Sequence, residues 1–229
     1  MSEPVNEPRS VILWDIDGTL LSTGGAGREA LDLAFEELFG VPQAFVAVSF
    51  GGRTDLGLVG EAFERAGLSM PDDAAPRLHD RYVGHLRRIL AARPGRAKLL
   101  PGLPQALAQT APRAVNALLT GNWRAGAEAK LGAVGLWEQF RFGAFADDAA
   151  DRNALVPIAR RRAQSLGVTP GRVIVIGDTP HDVACARAGG AVAVAVCTGW
   201  SSREELQACG PDLLIEDLTS GLDAFLGLL

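Results

Sequence analysis

The chain has 229 residues, 48% of them apolar and 21% charged, with a formal net charge of −5. This is enough for one large domain or two smaller ones of ordinary globular composition. The acidic balance argues against nucleic acid as a partner, since phosphate backbones demand basic patches, and no apolar run approaches the ~18 residues a membrane span needs. Cys185, Cys197 and Cys209 are odd in number and lack metal-ligand spacing, which points to a reducing, cytoplasmic setting without disulfides.

Residues 1–10 are polar, carry Pro4 and Pro8 and show no apolar signal region, so a disordered lead-in is expected there. Val11-Ile12-Leu13-Trp14 then reads as a short buried strand that stops at Asp15-Ile16-Asp17-Gly18-Thr19. Two aspartates at a strand end are costly to desolvate unless a positive group joins them, and a divalent cation is the obvious candidate. Ser22 to Gly27 is flexible and could be a hinge. Helices are expected over 28–39, over roughly 55–66 after the polar loop Ser49–Asp55, and over 76–92 as a basic amphipathic segment. No convincing strand falls in 22–95, so this stretch reads as a helical insertion.

An alternating pattern resumes at Pro101-Gly102. A helix near 103–109 leads to a strand over Ala114–Leu119, which ends in Thr120-Gly121-Asn122. A helix follows to about 132, then a weak strand over Phe142–Ala146 and a helix over 153–166. Arg172–Ile176 is the clearest strand and ends in Gly177-Asp178-Thr179-Pro180-His181-Asp182. A small-residue helix over 182–188, an apolar strand over Ala191–Cys197, a helix near 202–208 and a short strand at 212–215 complete the pattern. Strands alternating with helices imply a Rossmann-like, doubly wound parallel α/β sheet. In such a sheet the strand ends share one edge, so Asp15, Asp17, Thr120 and Asp178 can converge on one crevice.

These motifs resemble the haloacid dehalogenase-like (HAD) hydrolases, most of which are Mg²⁺-dependent phosphatases. Asp15-x-Asp17-Gly18-Thr19 is similar to their first motif and Thr120 to their second. Gly177-Asp178-x-x-x-Asp182 is similar to the acidic fourth motif, and Gly51-Gly52-Arg53-Thr54-Asp55 to a cap segment of phosphoglycolate phosphatase-like members. The resemblance runs from about 11 to 217. It implies a core of 1–21 and 96–229 with a helical cap of 22–95, a small phosphorylated metabolite as substrate, and Mg²⁺ as cofactor. Asp15 would be the nucleophile and Asp17 the acid and base. Asp178 would complete the metal site with Asp15 and the Asp17 carbonyl, and Asp182 would either join it or serve only as a helix N-terminal charge. Thr120 and the N–H groups of Gly121 and Asn122 would hold the phosphoryl group, and Arg53 would contact substrate or lie on the cap surface.

The third motif departs from the family, because no Lys stands in Ala149–Asn153. Arg152 is the best stand-in as the charge-balancing cation, and Lys130 is the rival. A haloacid dehalogenase needs neither an acid at position 17 nor a metal, so Asp17 and Asp178 argue against that activity. A sugar phosphomutase of the same fold remains open. A non-catalytic HAD-like binding protein would be expected to lack one of these carboxylates.

Overall fold

The computed structural model describes residues 9–229, so the expected lead-in lies outside the described residues apart from Arg9 and Ser10, which belong to the first strand. That strand, β1 (Arg9–Trp14), is the centre of a six-stranded parallel sheet. It alternates faces with the period of two that any strand imposes. Ile12 and Trp14 enter one apolar cluster, and Val11 and Leu13 enter another on the opposite face. Its neighbours do the same: Ile174 and Ile176 lie on the first side and Val173 and Val175 on the second. Both faces are covered by helices, which is why these strands read as continuous apolar runs. Each fully buried Ile, Leu or Val contributes about 1.5–3 kcal/mol of apolar burial.

The strand order is β5-β4-β1-β6-β7-β8, with β4 (Ala114–Leu119), β5 (Gly143–Ala144), β6 (Pro170–Gly177), β7 (Val192–Val196) and β8 (Leu213–Ile215). From β1 the chain builds outward through β4 to β5, then returns to the other side of β1 and builds through β6, β7 and β8. The order therefore reverses around β1, and the crevice at its carboxyl end is where such sheets bind ligands.

Between β1 and β4 lie α1 (Ala26–Phe39), α2 (Asp55–Arg65) and α3 (Ala74–Ala92). They share an apolar cluster around Phe35, Phe45, Phe63, Leu78 and Leu86, to which Trp123 and Ala146 also contribute. Thr54 caps α2 by accepting the Gly57 N–H at 3.2 Å, and left-handed Gly40 ends α1. The stretch is not wholly helical at its ends. Ser22 lies in β2 (Leu21–Ser22), which pairs antiparallel with β3 (Lys98–Leu99). Two-residue strands leave no periodicity to detect.

The remaining helices are α4 (Leu103–Thr110), α5 (Arg124–Gly132), α6 (Leu155–Ser165), α7 (Pro180–Ala188), α8 (Arg203–Ala208) and α9 (Leu222–Leu226). The sequence pattern did not anticipate α9, yet its Phe225 meets Trp14 edge-on at 5.6 Å and closes one face of the sheet. No helix among the described residues is long and apolar enough to cross a membrane.

Candidate active site

The loops that leave β1, β4, β6 and β7 meet at the carboxyl edge of the sheet. Those after β1, β4 and β7 line a cavity of about 420 Å³ with Asp15, Asp17, Thr120 and Trp200, while α1–α3 and the 50–55 loop form its other walls. Gly18 turns the chain after β1 with φ 87°, a conformation only glycine takes cheaply. It also has no room for a side chain, since a Cβ there would stand 2.5 Å from Asp178 Oδ2. Gly199, after β7, presses on the same carboxylate from another side, where a Cβ would come within 1.9 Å. Between these two backbones Asp178 is fully buried. Its Oδ1 accepts from the Thr19 hydroxyl at 3.1 Å and its Oδ2 from the Trp200 N–H at 2.8 Å. The Thr198 hydroxyl donates to the Gly18 carbonyl at 2.7 Å and ties the β1 and β7 loops together.

Asp15, Asp178 and Asp182 are all buried, and each presents an oxygen within 4.8 Å of the others. Burial pushes the Asp15 carboxyl well above the usual range, and Arg152 only partly pulls it back. Asp178 is pushed up as well, by burial first and then by the charges of Asp15 and Asp182. Three buried carboxylates against a single guanidinium leave an excess of negative charge, and an all-oxygen donor set of this kind fits a hard divalent cation. Asp182 differs from the other two in its partners. Its Oδ2 accepts from the Thr179 N–H at 3.0 Å and hydroxyl at 2.6 Å, while its Oδ1 accepts from Arg152.

Arg152 stands in a 3₁₀ turn (Arg152–Ala154) just ahead of α6. Its Nη2 donates to Asp15 Oδ1 at 2.9 Å and also to Asp182 Oδ1, while Nη1 donates to the Gly52 carbonyl at 3.0 Å. Burial opposes its charge, yet Asp182 and Asp15 more than offset that and raise its pKa further. Its Nε is buried without a partner among the described residues, an orphaned donor in the wall of the site. Lys130 serves a different carboxylate. From α5 its Nζ donates to Asp17 Oδ2 and to Asn122 Oδ1, each at 2.5 Å. Asn122 completes this network by donating Nδ2 to Asp17 Oδ2 at 2.9 Å and to Thr120 Oγ1 at 2.7 Å. Both rival cations are thus at the site, each on its own aspartate.

Arg53 reaches the cavity wall but is engaged within its own segment, by an ion pair to Glu61 and a 3.1 Å bond from Nη2 to the Gly57 carbonyl. Gly121 is where that segment touches the β4 loop, because a Cβ on Gly121 would meet the Arg53 carbonyl oxygen at 2.1 Å. Asp55 pins the contact. Its N–H donates to the Gly121 carbonyl at 2.7 Å, and its Oδ2 accepts the Trp123 N–H at 2.8 Å. Burial holds its carboxyl up at about 6. The sequence pattern gives Asp55 no role beyond the cap segment it belongs to, and it does not single out Tyr82 or Arg28, which stand in the cavity wall. Their one signal was position: Arg28 opens α1 just after the glycine-rich stretch. His79 and His85 are half-buried: His79 stands edge-on to Trp123 and His85 bonds Glu37 at 2.9 Å.

A strand-end acidic cluster with a strand-end threonine, in a parallel sheet whose order reverses at that edge, defines a class of hydrolase. The sequence profile of the haloacid dehalogenase-like hydrolases matches residues 12–187, and an HAD-hydrolase-like profile matches residues 154–221. The chain belongs to the haloacid dehalogenase-like hydrolase family. Within it, the chain is 30% identical over 217 residues to the phosphoglycolate phosphatase of Rhodospirillum rubrum, covering 93% of this chain and 89% of the relative. It is 31% identical over 220 residues to that of Synechococcus elongatus, covering 93% and 95%. The fold is shared with CbbY from Rhodobacter sphaeroides, solved in complex with phosphate, at a TM-score of 0.70 and 23% identity over 93% of this chain and 96% of that one. The chain is therefore a phosphatase of the phosphoglycolate phosphatase-like branch.

Proposed function

We propose that the protein is a cytoplasmic, Mg²⁺-dependent phosphatase of a small phosphorylated metabolite, with phosphoglycolate the first candidate. The observation that carries this reading is the meeting of Asp15, Asp17, Thr120 and Arg152 in one cavity wall, with an oxygen of the fully buried Asp178 within 4.8 Å of one on Asp15. Asp15, Asp178 and the Asp17 carbonyl would hold Mg²⁺, which would neutralise the phosphoryl dianion. Asp182 is assigned to anchoring Arg152, whose guanidinium donates to its Oδ1, and to fixing the start of α7, where its Oδ2 accepts from the Thr179 N–H and hydroxyl.

Asp15 attacks phosphorus, the ester P–O bond breaks, and an aspartyl-phosphate forms. Asp17 gives its proton to the departing alkoxide, then takes one from the water that cleaves the aspartyl-phosphate. The Thr120 hydroxyl accepts from Asn122 through its Nδ2 at 2.7 Å and its N–H at 3.3 Å, which leaves the hydroxyl proton to donate to the phosphoryl oxygens beside the Gly121 N–H. Arg152 balances charge and Lys130 orients Asp17. Residues 22–95 act as the cap that closes over the bound ester and excludes water.

The test is release of inorganic phosphate from a metabolite panel in Mg²⁺ and in chelator, by the natural protein and by Asp15→Asn. Turnover of phosphoglycolate above the others, lost in chelator and in Asp15→Asn, supports the whole reading. Equal turnover in chelator refutes the metal, and an active Asp15→Asn refutes the nucleophile.

A further inference from the structure

Four cations line the cavity: Arg28, Arg53, Lys130 and Arg152. Three of them already have a carboxylate partner. Arg53 pairs with Glu61, Lys130 with Asp17, and Arg152 with Asp15 and Asp182. Arg28 stands apart. Among the described residues no carboxylate oxygen comes within 4.0 Å of its nitrogens. Asp32, one turn further along α1, is close enough to feel its charge, but its Oδ1 instead accepts the Phe45 N–H at 2.8 Å.

Arg28 is held in place without being neutralised. It is half-buried in the first turn of α1, its guanidinium lies 4.8 Å from the centre of the Phe50 ring, and Nη2 makes a long 3.4 Å bond to the Val48 carbonyl. Phe50 also lines the cavity. Stacking on a ring fixes the plane of a guanidinium while leaving its edge donors open, the arrangement suited to an incoming carboxylate. An uncompensated, pre-oriented guanidinium in a partly desolvated wall is wasted on a neutral ligand and favours one with a second negative group.

We infer that Arg28 is the specificity-determining residue of the site, binding an anionic group at the end of the substrate remote from the phosphate, so that the substrate class is a phosphorylated carboxylate. This rests on the proposed phosphatase reading, which it narrows. A neutral sugar phosphate has no group for Arg28 to pair with. Phosphoglycolate does.

Binding separates the two ideas, because it needs no turnover. Phosphoglycolate and 2-hydroxyethyl phosphate, which exchanges the carboxylate for a neutral alcohol, are titrated calorimetrically in Mg²⁺ into the full chain carrying Asp15→Asn. The expected result is ~10–100-fold tighter binding of phosphoglycolate, the usual weight of a charge-assisted pair. Adding Arg28→Gln collapses that ratio to near one, and Arg28→Lys restores part of it. Phe50→Leu, which removes the ring beneath the guanidinium without touching the charge, lowers the ratio several-fold and serves should Arg28→Gln fold poorly. Equal affinity for the two esters, no binding of either, or a ratio that survives Arg28→Gln overturns the inference. Absence of phosphate release by the natural protein, with the affinity ratio intact, strikes only at the phosphatase reading.

Discussion

Replacing Arg152 with methionine separates the two cations at the site by their energetic weight. The Arg152 side chain is 7% exposed, and its partners Asp15 and Asp182 are 7% and 1% exposed. Removing the guanidinium strands both carboxylates beside a third, Asp178, in a place water scarcely reaches. Breaking a buried pair from one side costs about 3–5 kcal/mol, most of it the penalty on the charge left behind. For a chain of this size that is roughly 6–20 °C in Tm. Arg152→Lys keeps the charge but loses the fork that spans Asp15, Asp182 and the Gly52 carbonyl, so its cost is ~1–2 kcal/mol. Lys130→Met is the contrast. Its partner Asp17 is 28% exposed, so water takes over part of the lost interaction and the cost is about 1 kcal/mol. Urea unfolding at pH 7 in chelator, followed by tryptophan fluorescence, gives all three values. The stranded carboxylates can relieve themselves by taking up protons, so the Arg152→Met deficit shrinks at pH 5 and grows at pH 8. An Arg152→Met protein within 1 kcal/mol of the natural one, or a Lys130→Met protein that suffers more, would refute the reasoning.

The carboxylates also set a pH dependence. In the metal-free protein Asp15 and Asp178 hold protons above the value of 3.8 at which the unfolded chain releases them, so the folded state binds more protons in that window. Their contribution to stability is complete below 3.8 and is lost as pH rises through their raised folded values. Tm in chelator, compared between the natural protein and Asp178→Asn from pH 5 to 8, should show the natural protein losing ground as pH rises, and a constant difference would contradict this. Stabilisation by added Mg²⁺ should grow over the same range, since a cation needs the deprotonated ligands. Gly121→Ala tests the contact between the 50–55 loop and the β4 loop: its new methyl would lie 2.1 Å from the Arg53 carbonyl oxygen, so backbone must move. A displacement of that order at a reacting centre costs up to ~10²-fold in phosphate release, and an unchanged rate would show that the contact does not position the site.

The strands that build the site were readable because each is an apolar run stopped by a residue that cannot continue it: β1 at Asp15, β4 at Thr120-Gly121 and β6 at Gly177-Asp178. Parallel topology then obliges their ends to meet, so the cluster was visible before any contact was known. The choice between Arg152 and Lys130 was not. The two lie 22 positions apart on different elements, and only the folded sheet reveals that one faces Asp15 and Asp182 and the other Asp17. The short pieces were invisible for another reason. β2 and β3 have two residues each, and α9 has five, too few to show a period. Their stability comes from tertiary partners such as Trp14 beneath Phe225. Arg28 escaped notice because an arginine in a first helical turn is ordinary. What sets it apart is that no carboxylate among the described residues pairs with it, which no single sequence displays.

The clamp of two backbones on Asp178 has an evolutionary corollary. Positions 18 and 199 lie 181 residues apart, yet both press on the same side chain. Neither can accept a methyl group while Asp178 keeps its place. Giving up the carboxylate for serine or alanine would free neither loop, because Gly18 keeps its φ of 87° and residue 178 keeps a Cβ that a side chain at 199 would meet at 2.8 Å. The three positions are therefore held together by backbone as much as by chemistry, and a lineage that lost the activity would still carry both glycines, leaving the return of the aspartate a single step away.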